Sequence, residues 1–393
     1  MSTSQTYDVI IAGGGPAGST AAYILAGSGL KVLIIDRSRF PRHKLCAGCI
    51  TDKTVRLLKR VFGETAPDLK KKDIINFESD RYGIFCGEKL VSAKSLGVPF
   101  YFVERYTYDE FLLRRAERAG AEVIEGDGVV SLDVSVNEIR TLSGRTFTAR
   151  FFIGADGVHS IMRRQFPEDI IDRAAWQNNA GTGLEIYIDR SDMKNAIDYP
   201  ALYLGFINYG YAWLFPNRDR LVAGIGGLTR RNKKQFLPSF YRFLSAIGIS
   251  DPGAYKVRGY AFPYGNFLSR PVYRNILLTG DAAGFADPLV GEGIYYAQRS
   301  AELAAHAIDE ALEENKSDAA QRAADRYLQL LQEDIYREFL YAMKIGNLVY
   351  TRLDKFHYLP LKLLMGALGT KPLEAVQGIR SYRWLRRHMD IDT

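Results

Sequence analysis

Six consecutive residues near the start of the chain have the types and spacing needed to hold phosphate. Gly13-Gly14-Gly15-Pro16-Ala17-Gly18 fits the pattern G-x-G-x-x-G, directly after the apolar run Tyr7–Ala12 and at the opening of a helical segment, Pro16–Ser28. Gly13 allows a tight turn, Gly15 lets backbone approach a pyrophosphate, and Gly18 permits close packing of helix on strand. The helix N-terminus adds unsatisfied N–H groups that favour an anion. Asp36 lies eighteen residues beyond Gly18, at the end of the second apolar run Lys31–Ile35. A carboxylate there accepts hydrogen bonds from a ribose diol and repels a 2′-phosphate. Strand, glycine turn, helix, strand and acid together read as dinucleotide binding, against the plainer reading of a glycine-rich packing turn.

Two later segments separate FAD from NAD. Phe151–Gly154 reads as a buried strand ending in Ala155-Asp156-Gly157, with Ser160 and Arg163 following. Leu277-Leu278-Thr279-Gly280-Asp281 repeats that logic, and Asp281 can bind a ribityl hydroxyl. Asp287-Pro288-Leu289-Val290-Gly291-Glu292-Gly293-Ile294 then begins a helix, Gly291–Leu312, whose free N–H groups can stabilise negative charge on a reduced flavin ring.

In this order the motifs resemble the FAD-binding group that includes p-hydroxybenzoate hydroxylase, and within it the geranylgeranyl reductase family, over most of the chain. The resemblance implies that Ala17, Asp36, Cys46, Ala47 and Cys49 line the FAD, as do Arg105, Val129, Asp281, Gly293 and Ile294. Gly13, Gly15, Gly18, Asp156 and Gly291 join them from the motifs, and Arg105 matches the family's pyrophosphate-side arginine. Tyr209-Gly210-Tyr211-Ala212-Trp213-Leu214-Phe215-Pro216 is similar to the family's P-x-x-Y-x-W-x-F-P substrate-cavity motif, with Asn208 where the first proline belongs. Tyr211, Trp213 and Phe215 alternate along a strand and so share one face. They make either an aromatic wall for a long apolar chain, each buried methylene contributing about 0.8 kcal/mol, or a stripe that only fills a core. Lys44-Leu45-Cys46-Ala47-Gly48-Cys49 falls where these reductases carry a cysteine-containing loop beside the flavin. Its C-x-x-C spacing alone is weak evidence for a redox pair. His43 and His159 receive no role, Glu292 serves by charge or capping, and no residue is assigned as the catalytic proton donor.

These sites need elements to position them. At 393 residues, 47% hydrophobic and 25% charged, the chain is a folded protein of two domains or one domain with a subdomain. The expected fold is α/β: a Rossmann-type FAD-binding domain (1–75, 101–170 and 270–312), an inserted antiparallel β-sheet substrate domain (76–100 and 171–269) and a C-terminal helical subdomain (313–393). Between Gly181 and Phe262 helical signals are few. Three cysteines are too few for a disulfide framework and one short of a four-cysteine zinc site, so no metal is expected. Met1–Thr6 lack the basic residues of a secretory signal, which makes the cytoplasm the expected location. The net charge of +7 includes a basic tail, Arg380, Arg383, Arg386 and Arg387. With the apolar run Tyr358–Leu368 it suggests peripheral contact at the inner face of a membrane, or else a buried helix closing the cavity. Nothing accompanies the charge to indicate nucleic acid.

The expected activity is reduction of isolated C=C bonds in a geranylgeranyl or other polyprenyl chain, of an ether lipid, a pigment precursor or a quinone. The sequence has no second complete nucleotide fingerprint, so NADPH, NADH and ferredoxin, the last an electron-donor protein, all remain open as reductant. Competing readings are an FAD-dependent aromatic monooxygenase or halogenase, and a non-catalytic lipid- or quinone-binding electron-transfer flavoprotein.

Overall fold

The computed structural model describes residues 5–313, 317–354 and 358–387. The side chains of Arg386 and Arg387, half of the expected basic tail, lie outside that description.

Gln5–Ala12 is the central strand of the first sheet. It runs parallel to Val32–Asp36 on one side and to Thr146–Gly154 on the other. Glu122–Glu125 and Ile276–Leu278 extend the two flanks, also in parallel. Residues Ile10, Ile11, Leu33, Ile34, Phe152 and Ile153 are fully buried, the unbroken apolar pattern of a sheet covered on both faces. The helix Pro16–Gly27 crosses between the first two strands and packs against the helices Arg105–Arg118 and Ile294–Glu313.

The second sheet has the order 258–263, 180–189, 220–228, 210–216, 201–204, 75–86, 89–103 and 49–50. It is antiparallel as expected, except that Ala201–Leu204 lies parallel to Ile75–Cys86, two segments joined by a connection long enough to reverse direction. Lys89–Val103 runs unbroken past the boundary anticipated at residue 100, because Tyr101 and Phe102 still pair with Ile50 and Cys49.

One face of this sheet is closed by the helix Phe236–Ala246, which the sequence reading missed. Phe236, Phe240, Phe243 and Leu244 sit at helical spacing and bury against Ile186, Ile188, Leu214 and Leu221. A strand-rich context and an aromatic composition that also suits strands hid that period. The opposite face is left to line a cavity.

The C-terminal part is helical, as expected, and returns to the site. Gln377 accepts from the Asp52 N–H at 2.7 Å through its side chain and from the Lys53 N–H at 3.2 Å through its carbonyl. The Tyr382 hydroxyl donates to Asp287 at 3.1 Å. In the helix Leu359–Leu368, Leu361 and Met365 are buried while Leu363 is 80% exposed. Among the described residues no helix is long and apolar enough to cross a membrane.

Phe243 is fully buried, with its ring 5.1 Å from Tyr203 and 5.4 Å from Phe206. Phe243→Ala is expected to destabilise the chain by about 3–5 kcal/mol, read as a lowered midpoint in urea unfolding followed by circular dichroism.

Candidate cofactor and substrate site

A cavity of about 800 Å³ separates the two sheets. Gly13 forms its floor at the phosphate end with φ of +101°, and a Cβ there would stand 2.4 Å from the carbonyl oxygen of Ala155. A Cβ on Gly18 would stand 1.8 Å from the carbonyl oxygen of Gly13, so the helix meets the turn backbone to backbone. At Gly15 the nearest atom to such a Cβ is the tip of Arg42 at 3.3 Å, which leaves the peptide open to the cavity. Asp36 accepts from the N–H groups of Gly14 and Ser38, both at 2.7 Å, and so fixes the turn as well as facing the site.

Positive charge collects beside this turn. Arg105 makes two 2.7 Å hydrogen bonds to the fully buried Asp109, and Arg42 pairs with the same carboxylate at 3.0 Å. Two guanidinium groups share one carboxylate, and the surplus charge faces the cavity that both line. Arg163 ties the two acidic loops together by donating to Ala282 at 2.8 Å and to Val158 at 2.6 Å. Asp156 accepts from the Ile161 N–H at 2.6 Å, and burial pushes its carboxyl up.

The loop before the last long helix differs from expectation. The helix begins at Ile294 rather than Gly291, because Asp287 captures the preceding backbone: its carboxylate accepts from Leu289 at 2.8 Å and Val290 at 3.0 Å. Gly291, Gly293 and Ile294 still line the cavity. Glu292 is neither a cap nor free, since it accepts from Thr51 at 2.6 Å and pairs with buried Lys53 at 2.6 Å.

Tyr211, Trp213 and Phe215 face the cavity, whereas Ala212 and Leu214 point to the helix on the other side of the sheet. The indole of Trp213 lies across bare backbone of the adjacent strand. A Cβ on Gly224 would fall 2.3 Å from the indole, and one on Gly226 3.1 Å. The Tyr211 hydroxyl donates to the carbonyl of Val290, which couples the aromatic wall to the glycine loop. Tyr82, Ile84, Phe100, Leu202, Leu373 and Val376 continue the lining as an apolar end.

All the expected cofactor positions line this one cavity except Gly18, which stands behind Gly13: Gly13, Gly15, Ala17, Asp36, Cys46, Ala47, Cys49, Arg105, Val129, Asp156, Asp281, Gly291, Gly293 and Ile294. Cys46 and Cys49 are not bonded to each other, and burial pushes the Cys49 thiol well up, which disfavours its thiolate. His43 packs on Tyr106 and His159 on Tyr260. Sequence reasoning missed Lys44 and Glu185. Burial lowers Lys44 to about 8, with its ammonium 3.4 Å from the centre of the Tyr260 ring. Burial raises Glu185 to about 7. The available signal was a lone acid inside the otherwise uncharged stretch Ala180–Ile188.

Known proteins resemble this chain in sequence and fold. A family model described as FAD binding domain matches residues 6–194. The chain is 30% identical over 371 residues to an uncharacterised protein of Methanosarcina barkeri, covering 93% of this chain and 90% of that one. It is 28% identical over 409 residues to digeranylgeranylglycerophospholipid reductase 2 of Methanothermobacter thermautotrophicus, covering 97% and 96%. The chain belongs to the geranylgeranyl reductase family of FAD-dependent enzymes. A geranylgeranyl bacteriochlorophyll reductase-like structure from Thermoplasma acidophilum has the same fold, with a TM-score of 0.76, 24% identity and 88% of each chain covered.

The cavity fits the FAD of this family on its own chemistry. Open backbone at Gly15, surplus guanidinium charge at Arg42 and Arg105, and acids at Asp36 and Asp281 answer the pyrophosphate and the two polyol parts of a flavin dinucleotide. Gly13→Ala puts a methyl group into the Ala155 carbonyl at a strained φ, so FAD affinity is expected to fall roughly tenfold or more. Gly27→Ala, with no atom within 4 Å of the added carbon, should retain wild-type FAD. Flavin absorbance after desalting against graded FAD reads both.

Proposed function

We propose that the chain saturates isolated C=C bonds in the polyprenyl chain of a lipid. One observation carries the reading: the aromatic wall and the glycine loop of the flavin site face the same cavity and are joined by the Tyr211–Val290 hydrogen bond. When bound and reduced, FAD supplies the hydride. In this reading Gly13, Gly15, Ala17, Arg42 and Arg105 hold the pyrophosphate, Asp36 the ribose and Asp281 the ribityl chain. Asp156 supports that end, while Cys46, Ala47, Cys49 and Val129 line the cofactor. Gly291, Gly293 and Ile294 present backbone to the ring.

Tyr211, Trp213 and Phe215 hold the prenyl chain and keep water from it. An unactivated alkene has no carbonyl to absorb charge, so dryness matters more than polar orientation. The apolar end at Leu202, Leu373 and Val376 receives the rest of the chain. A digeranylgeranyl lipid is the substrate class closest to the relative's name, and NADPH, NADH or ferredoxin the donor.

Anaerobic incubation with dithionite and a geranylgeranyl lipid is expected to give products heavier by two hydrogens per bond reduced, seen by mass spectrometry. Flavin reoxidation without such products would leave an electron-transfer flavoprotein, and hydroxylated or halogenated products requiring oxygen would replace the reading with a monooxygenase. Trp213→Ala should raise KM for the prenyl substrate about tenfold, from loss of apolar contact, with FAD content unchanged.

The substrate's lipid character also gives the exposed Leu363 and neighbouring Lys362 a role in peripheral membrane contact. Arg380 contributes less than its charge suggests, since it pairs with Glu374 at 3.0 Å. Leu363→Asp should reduce co-sedimentation with anionic liposomes several-fold. Equal pelleting of both proteins would remove the membrane contact and leave the helix as packing against the second sheet.

A further inference from the structure

Saturating an alkene requires a proton as well as a hydride. The hydride pair makes one C–H bond, the alkene π pair captures a proton to make the second, and the reduced flavin is oxidised by two electrons. We infer that Glu185 is the catalytic acid that gives this proton, an assignment that rests on the prenyl-reduction reading above.

Strand register places it. Glu185 lies opposite Gly224, and Gly224 lies opposite Trp213, so the carboxyl and the indole share one face of the sheet across bare backbone. Glu185 is 4% exposed, lines the cavity, and its Oε2 has no hydrogen-bond partner among the described residues. Protonating the less substituted alkene carbon develops positive charge on the tertiary one, which the face of a Trp ring stabilises.

Most other acids of the cavity are committed elsewhere, and Asp281, which also lines it, belongs to the ribityl chain in the same reading. Glu292 has one oxygen on Thr51 and the other on Lys53. Asp36 spends both oxygens on backbone N–H groups. The hydroxyls of Tyr211 and Tyr264 donate to the carbonyls of Val290 and Leu289. Asp156 keeps one oxygen unpartnered, but it stands next to Ala155 at the phosphate end. Cys49 is too weak an acid once buried.

Five groups face Glu185. Lys44 comes from the cysteine loop, Arg220 from the adjacent inner strand, Arg258 from the outer strand, Tyr187 from its own strand and Trp213 from across Gly224. Burial lifts the Glu185 carboxyl to about 7, and the Lys44 cation, the Trp213 indole and the Arg220 cation hold it from rising further. A raised carboxyl is protonated, and so able to donate, below about pH 7, and it loses that ability as pH rises through this value. Lys44, lowered to about 8, still carries a proton there and can return one to the carboxylate.

The test uses the FAD-loaded enzyme in two independent readouts. Infrared difference spectra of the wild-type protein across pH should show a carboxyl stretch that titrates near pH 7 and is missing in Glu185→Gln. In single turnovers with a geranylgeranyl lipid, Glu185→Gln should slow flavin oxidation roughly a hundredfold or more and abolish its decline above pH 7, with lipid affinity unchanged. A Glu185→Gln enzyme that reduces the lipid at the wild-type rate overturns the assignment while leaving prenyl reduction intact. A wild-type carboxyl ionised throughout pH 5 to 9, read without any variant, overturns it equally. Wild-type protein that neither binds nor reduces the lipid overturns the prenyl reading, and the assignment with it.

Discussion

The indole of Trp213 can lie across the neighbouring strand only because Gly224 and Gly226 place no side chains there. That bare backbone holds the ring in one orientation and draws the wall back far enough to leave a cavity between two well-packed sheets. The first sheet uses the same device at its opposite margin, where Gly13 and Gly18 allow turn, helix and the Ala155 loop to meet through backbone. Protein interiors close around any space that side chains can fill. A site large enough for a dinucleotide and an apolar chain therefore depends on where side chains are withheld.

Charge is divided along that space. Surplus guanidinium charge stands at the phosphate end, while the Lys53–Glu292 pair neutralises itself beside the glycine loop. A buried ion pair adds little net stability, but removing one partner leaves the other charge exposed to a dry surrounding. Its position suits a fixed electrostatic boundary between the cofactor end and the aromatic wall. Beyond that boundary the lining is apolar apart from Glu185 and Lys44, which keeps bulk water from a reaction that offers no polar group for the protein to grip.

The C-terminal segment completes the enclosure. Gln377 bridges to the start of the helix Asp52–Phe62, Tyr382 bonds the Asp287 that shapes the glycine loop, and Leu373 and Val376 form part of the apolar end. Residues far apart in the chain thus set the shape of the cavity together, and a change near the C-terminus reaches the cofactor loop through the Tyr382–Asp287 hydrogen bond and the packing of Leu289.

Local pattern was enough to read the nucleotide turn, the acid at Asp36, the order of the strand-and-loop motifs and the alternation of Tyr211, Trp213 and Phe215. Each follows from backbone geometry over a few residues: a turn that only glycine permits, or the two-residue repeat of a strand. The helix Phe236–Ala246 carried a readable period too, but its aromatic residues fit a strand equally well until the second sheet offered a face for it to cover. Glu185, Lys44 and the glycines under Trp213 were not legible. Their significance comes from cross-strand register and from loops distant in sequence, and burial then gives ordinary side chains unusual acidity. Sequence determined what each segment could do alone; the tertiary structure decided which segments share one dry space, because desolvation and contact exist only after the sheets have met.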